Sequence, residues 1–148
     1  MKEELQKKLK EDHPEIFKML YFDEDDMPEE YLDEDSNARP MLPIEMFGIE
    51  CGDGWYDLID TLCDTIENYF HSNKDELPKA HQVKEKFGGL RFYTGGIHED
   101  YADKVWGVIS MAEQMSYKIC ENCGTTENVI VDEAGWIRTK CKECRDGD

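Results

Sequence analysis

The chain has 148 residues, room for one domain with a small appendage, and its three Trp, seven Tyr and six Phe supply bulky core material. Its formal charge is −18, from 35 acids against 17 bases. Such a surface repels nucleic acid and anionic lipid, and leaves a basic protein, or a small anion at a locally basic patch, as the expected partner.

The opening MKEELQKKLKED is charged and lacks the apolar core of an export signal, and no stretch reaches the roughly 20 apolar residues of a membrane span. A cytoplasmic protein is expected. Residues 1–22 read as helix, with Leu5, Leu9, Ile16, Phe17 and Leu20 as its apolar stripe. Pro14 cannot continue a helix, so a second short helix is expected to start there, with His13 near its N-cap. Residues 23–35 then hold nine acids and no base. They read as a solvated loop or frayed helix. Asp23, Glu24, Asp25, Asp26, Glu29 and Glu30 are the candidate contacts for a basic partner.

Pro40 and Pro43 mark a linker, and residues 44–51 read as a short strand. Gly52-Asp53-Gly54 forms a turn, with Asp53 placed to cap the next helix. From Trp55 the stripe Leu58, Ile59, Leu62, Cys63, Ile66, Tyr69 and Phe70 predicts an amphipathic helix to about residue 71. Asp57, Asp60, Asp64 and Glu67 share another face. Carboxylates at that spacing can hold a metal, but the simpler reading is a wet face. A polar connection over 72–80 leads into a hairpin over 81–94, turning at Gly88 and Gly89. A second long helix is expected from Glu99 to Lys118, on Tyr101, Val105, Val108, Ala112, Met115 and Ile119, with Trp106 and Ile109 widening its stripe.

The strongest chemical signal is C-x2-C-x17-C-x2-C over Cys120, Cys123, Cys141 and Cys144. Two CxxC knuckles at this spacing, in a chain with no export signal, predict a zinc ribbon rather than disulfides. The chain between the pairs must double back, and strands over 128–131 and 136–139 would do so. Four protein ligands leave no open position, so the expected Zn²⁺ is structural. Arg138, Lys140, Lys142 and Arg145 would offset its thiolates. From Ile119 onward seven acids still outnumber four bases, which argues against nucleic-acid binding.

Lys84, Lys86 and Arg91 form a basic island among Phe87, Phe92 and Tyr93. With Trp55 and Tyr56 they are the candidate site for a phosphate or a flat ring. Cys63 reads as a buried inert thiol. Cys51 would need His71, His81 or His98 as a base to act as a nucleophile, and nothing in the spacing supplies one. No catalytic residues are assigned.

The stretches FGIECGDGWYDLIDTLCDTI, QVKEKFGGLRFYTGG, ICENCG and GWIRTKCKEC resemble a group of small bacterial and phage-encoded proteins, over roughly residues 46–144. Some of those proteins carry His where this chain has Cys144, and either residue ligates zinc. The resemblance implies a shared core fold and a bacterial or phage origin, with no activity attached. The expected fold is therefore α+β: a small antiparallel sheet covered by two long helices, with a C-terminal zinc ribbon. The expected parts are an acidic helical segment and linker (1–43), a core (44–118) and the ribbon (119–148). The expected function is a non-enzymatic binding protein, phage or prophage encoded, that engages or inhibits a basic host protein such as a defence factor. The alternatives are a nucleotide-sequestering protein and, last, an enzyme.

Overall fold

A computed structural model describes residues 1–32, 37–71, 73–133 and 135–147. It is a mixed α+β structure with a small sheet and several helices. Helix α1 spans Glu3–Asp12. The expected second helix at Pro14 does not form: residues 14–19 make successive turns, held by Phe17 N–H donating to the His13 carbonyl and Leu20 N–H to that of Phe17. This irregular path lets Leu9, Ile16, Phe17 and Leu20 all sink fully into the core. The Ile16 carbonyl accepts from Ala80 N–H at 2.8 Å, and Phe17 meets Phe92 edge to face.

Half of the expected strand over 44–51 is helix instead. Pro43 opens α2 (Pro43–Phe47), and Glu45 folds back to accept from Leu42 N–H at 2.5 Å. Pro at the first helical position is favourable because it has no N–H to leave unpaired. Gly48, at φ +65°, ends the helix, and only Ile49–Glu50 remain as β1. Glu45 is buried and takes both Arg39 guanidinium nitrogens at 2.8 Å, so this ion pair latches the linker to the core.

Helix α3 (Tyr56–Tyr69) buries Leu58, Ile59, Leu62, Cys63 and Ile66, the face the apolar spacing predicts. The hairpin is β2 (Lys79–Lys86) and β3 (Gly89–Gly95). Strand β1 runs parallel to β2, with Ile49 opposite Val83, so the sheet is mixed and not antiparallel throughout. The reason is topological: α3 carries the chain from the end of β1 back to the start of β2, as a crossover to a parallel strand requires.

The hairpin turn is also one residue earlier than expected. Lys86 pairs with Gly89, so Phe87 (φ +54°) and Gly88 (φ +77°) form the turn. Two positive φ angles match the right-handed twist of the strands. The Glu85 carboxylate locks the turn by accepting from Gly88 N–H at 2.6 Å. Gly89 serves a different need: a Cβ there would overlap the Tyr117 ring.

Helix α4 (Glu99–Ser116) packs on α3 and along the open edge of β3. Ser116 Oγ accepts from Leu90 N–H at 2.8 Å, and Glu113 accepts from Phe92 N–H at 3.1 Å. These side chains occupy edge donors that would otherwise invite another strand. Its buried line is Val105, Val108, Ile109 and Ala112, whereas Met115 and Trp106 are about half exposed. Among the described residues, no helix is long and apolar enough to cross a membrane.

Candidate metal centre and its junction with the core

After α4, Tyr117–Ile119 lead straight into the first cysteine pair. Gly124, at φ +79°, bends the knuckle so that its N–H donates to the Cys120 carbonyl at 2.8 Å, while Cys120 N–H donates to Thr125. Strands β4 (Val129–Asp132) and β5 (Arg138–Cys141) then pair antiparallel, with Val129 opposite Cys141. The short helix α5 (Lys142–Asp146) begins directly after Cys141 and carries Cys144, whose N–H reaches the Cys141 sulfur at 3.4 Å.

This path gathers the four sulfurs within 4.8 Å of one another, and the sulfurs of Cys123 and Cys141 are 3.7 Å apart. All four cysteines are free. A tetrahedral ion with metal–sulfur bonds of about 2.3 Å needs sulfurs about 3.8 Å apart, whereas a disulfide needs about 2.05 Å. The donor set therefore fits a metal ion. Burial opposes ionisation of Cys120, but N–H groups of Cys141, Cys123 and Asn122 outweigh it and hold the thiol at about 7. Hydrogen bonding with Cys141 and Cys123 pushes Cys144 up to about 12. Four crowded sulfurs cannot all ionise alone; a divalent cation supplies the charge that allows it.

The junction explains the GDGW motif. Gly54 N–H donates to the Glu121 carbonyl at 2.8 Å, and Gly52 N–H donates to the Glu121 carboxylate at 2.9 Å. A Cβ on Gly54 would overlap the Cys120 carbonyl oxygen, and one on Gly52 the Glu121 carbonyl oxygen. The two glycines are the seat on which the first knuckle rests. Trp55 is fully buried beside it and donates its indole N–H to the Ile119 carbonyl at 3.0 Å. Asp53 does not cap α3; its carboxylate accepts from Lys2 N–H at 2.7 Å and pairs with the Lys2 ammonium.

A second contact joins the two hairpins. Thr139, fully buried, donates its hydroxyl to the Gly88 carbonyl at 2.5 Å. Glu121 lies between the halves, where burial raises its pKa against the pull of Gly52 N–H and of Lys140 and Arg138.

Of the six residues expected to bind a small ligand, Lys84, Lys86, Arg91 and Tyr93 share one face of the hairpin, while Trp55 and Tyr56 lie apart from them. Trp55 is interior. Tyr56 is half-buried on α3, under the Lys8 ammonium. Arg91 is engaged with the Tyr117 hydroxyl at 3.1 Å and the Leu90 carbonyl at 2.6 Å. Tyr93 is exposed on the sheet face that also carries Lys84 and Arg91. Lys84 and Lys86 instead line a cleft of 380 Å³ with Glu85, Phe87, Trp136 and Ile137, between the tips of the two hairpins. Phe87 is 64% exposed and Trp136 74%. Trp136 could not be joined to this patch from sequence, because the contact spans about fifty residues.

Of the acidic candidates, Asp23, Glu24, Asp25 and Asp26 lie in an exposed turn, with Asp26 paired to Lys10 at 2.7 Å. Glu29 and Glu30 open a short 3₁₀ turn, Glu29–Tyr31, and are exposed. The acids at 33–35 lie outside the described residues. Cys51 is buried, and burial pushes its thiol up to about 12, which disfavours the thiolate a nucleophile needs. In comparison with known proteins, the chain matches no family model, no curated protein and no solved structure.

Proposed function

We propose that this is a non-enzymatic binding protein whose four cysteines form a closed, structural zinc ribbon, and which engages a basic protein partner through the corner between its two hairpins. The observation that carries the reading is that Phe87 and Trp136, two largely exposed aromatics, line one cleft. Aromatic anchors rimmed by charge are the usual source of binding energy at protein interfaces. Lys84 and Lys86 at the rim suit an acid or carbonyl of the partner, and the acidic remainder, including Asp23–Asp26, steers a basic protein from a distance. The metal's part is to hold Trp136 opposite Phe87.

A phage or prophage protein acting on a host defence factor is the setting this reading favours, on the four sequence blocks alone. A second reading, a nucleotide-sized anion, draws on the volume of the cleft, which is within the range of small-molecule sites. Affinity capture from bacterial cells tests the two together. Trp136→Ala and Phe87→Ala should each release the captured protein while moving stability by less than about 0.5 kcal/mol. Complex formation should weaken as salt rises. Capture unchanged in both variants, or a nucleotide retained in place of a protein, would overturn the first reading.

A further inference from the structure

The carboxylates of α3 do not merely face solvent. His13, at the C-terminal end of α1, is buried to 2% exposure and points its ring at that helix. Its Nε2 is 2.9 Å from Asp60 Oδ1. Its Nδ1 is buried, has no hydrogen-bond partner, and lies 3.3 Å from Glu67 Oε1. A ligand atom from each of His13, Asp64 and Glu67 falls within 4.8 Å of the others. Asp60, Asp64 and Glu67 follow one another at i, i+4 and i+7, so one helix face presents all three to one imidazole.

We propose that His13 Nδ1, Asp64 and Glu67 form a second metal site, which takes a divalent transition metal of the zinc class. The orphaned Nδ1 is the key to the assignment. In the tautomer that donates its Nε2 proton to Asp60, the Nδ1 lone pair faces the Glu67 and Asp64 carboxylates, and a cation held among the three satisfies all of them. This is the carboxylate–histidine–metal arrangement in which an outer carboxylate orients a ligating ring. One imidazole and two carboxylates suit borderline cations such as Zn²⁺. Three protein ligands leave coordination positions open, in contrast to the closed cysteine centre. Asp64 is exposed, so those positions are reachable from solvent.

This second site stands independently of the binding reading above. Its test is zinc stoichiometry of the full chain, by native mass spectrometry and by titration calorimetry with zinc chloride. The wild type should bind two zinc ions. Asp64→Asn and Glu67→Gln should each bind one, with the cysteine site still filled. Both are chosen because these side chains are exposed or partly so, whereas a change at buried His13 could unfold the chain. Asp60→Asn should keep two sites and weaken the second by about 10- to 100-fold. Filling the second site should also shift the His13 ring resonances. One zinc per wild-type chain at saturation, two zinc ions in Asp64→Asn, or His13 resonances unmoved by the second equivalent would each overturn the proposal.

Discussion

The core and the cysteine hairpin are held by different forces. The core cluster runs from Leu9 to Ala112 and includes Trp55, Phe17, Phe70 and Phe92, all at or near zero exposure. Past Ala112 the buried described residues are Ser116, Cys120, Thr139, Lys140 and Cys141, with no large apolar side chain among them. A thirty-residue segment with so little apolar burial cannot offset the conformational entropy of its own ordering. A metal at its four cysteines would supply support from inside, and the Gly52–Trp55 seat supplies it from outside. The core contributes to the junction the space left by two glycines, together with their N–H groups and the Trp55 indole donor.

That contrast can be broken at the seat. Gly54→Ala drives a methyl group into the Cys120 carbonyl, a backbone atom with nowhere to go. The expected cost is about 2–4 kcal/mol, read from denaturant unfolding, because the knuckle must lift or the turn must distort. A variant within about 0.5 kcal/mol of wild type would mean that the seat is not close-packed.

The Arg39–Glu45 latch probes the core side through pH. Burial opposes the Glu45 charge, but Arg39 and the Leu42 N–H outweigh it and hold the pKa below the usual carboxylate range. The folded state therefore binds this proton less readily than the unfolded chain. The stabilisation is complete above the unfolded value of about 4.3 and is lost as pH falls through the lower folded value. Glu45→Gln should cost about 1–2 kcal/mol at pH 7, allowing for the partial exposure of Arg39. Unfolding measured across pH should show that cost shrinking below about pH 4. A cost independent of pH would assign it to packing.

The smallest effect comes from a glycine of the opposite kind. Gly107 lies in α4, and a methyl group added to it would meet nothing within 4 Å beyond its own stretch of helix backbone. Gly107→Ala should raise stability by about 0.5–1 kcal/mol, through helix propensity alone. A loss in thermal unfolding would show that α4 packs more tightly there than its surface suggests.

These sites also show what the sequence could and could not reveal. The cysteine cluster was legible because each CxxC is local and the spacing between the pairs limits the return path. The stripe of α3 was legible because Trp55 to Phe70 repeat at helical period over four turns. The strand expected at 44–51 was lost to Pro43 and to the reach of Glu45 back to Leu42, which makes a helix of an apolar run too short for periodicity to decide. The turn shifted to Phe87 because Gly89 was committed to Tyr117, twenty-eight residues away. Gly52 and Gly54 looked like turn formers, and Asp60, Asp64 and Glu67 like part of a wet face, for one common reason. Their partners, Cys120 with Glu121 and His13, are remote in sequence, and nothing local marks a residue as the seat for another.

The central claim is that a metal at Cys120, Cys123, Cys141 and Cys144 holds the C-terminal hairpin on the Gly52–Trp55 seat. Amide hydrogen exchange on the zinc-loaded protein, with and without a chelator, tests it most directly. Metal removal should strip protection from residues 120–141 and from Gly52 and Gly54, while the hydrogen-bonded amides of α3 and β2 keep theirs. Unchanged protection at the Gly54 and Gly124 amides after the metal is gone would contradict it.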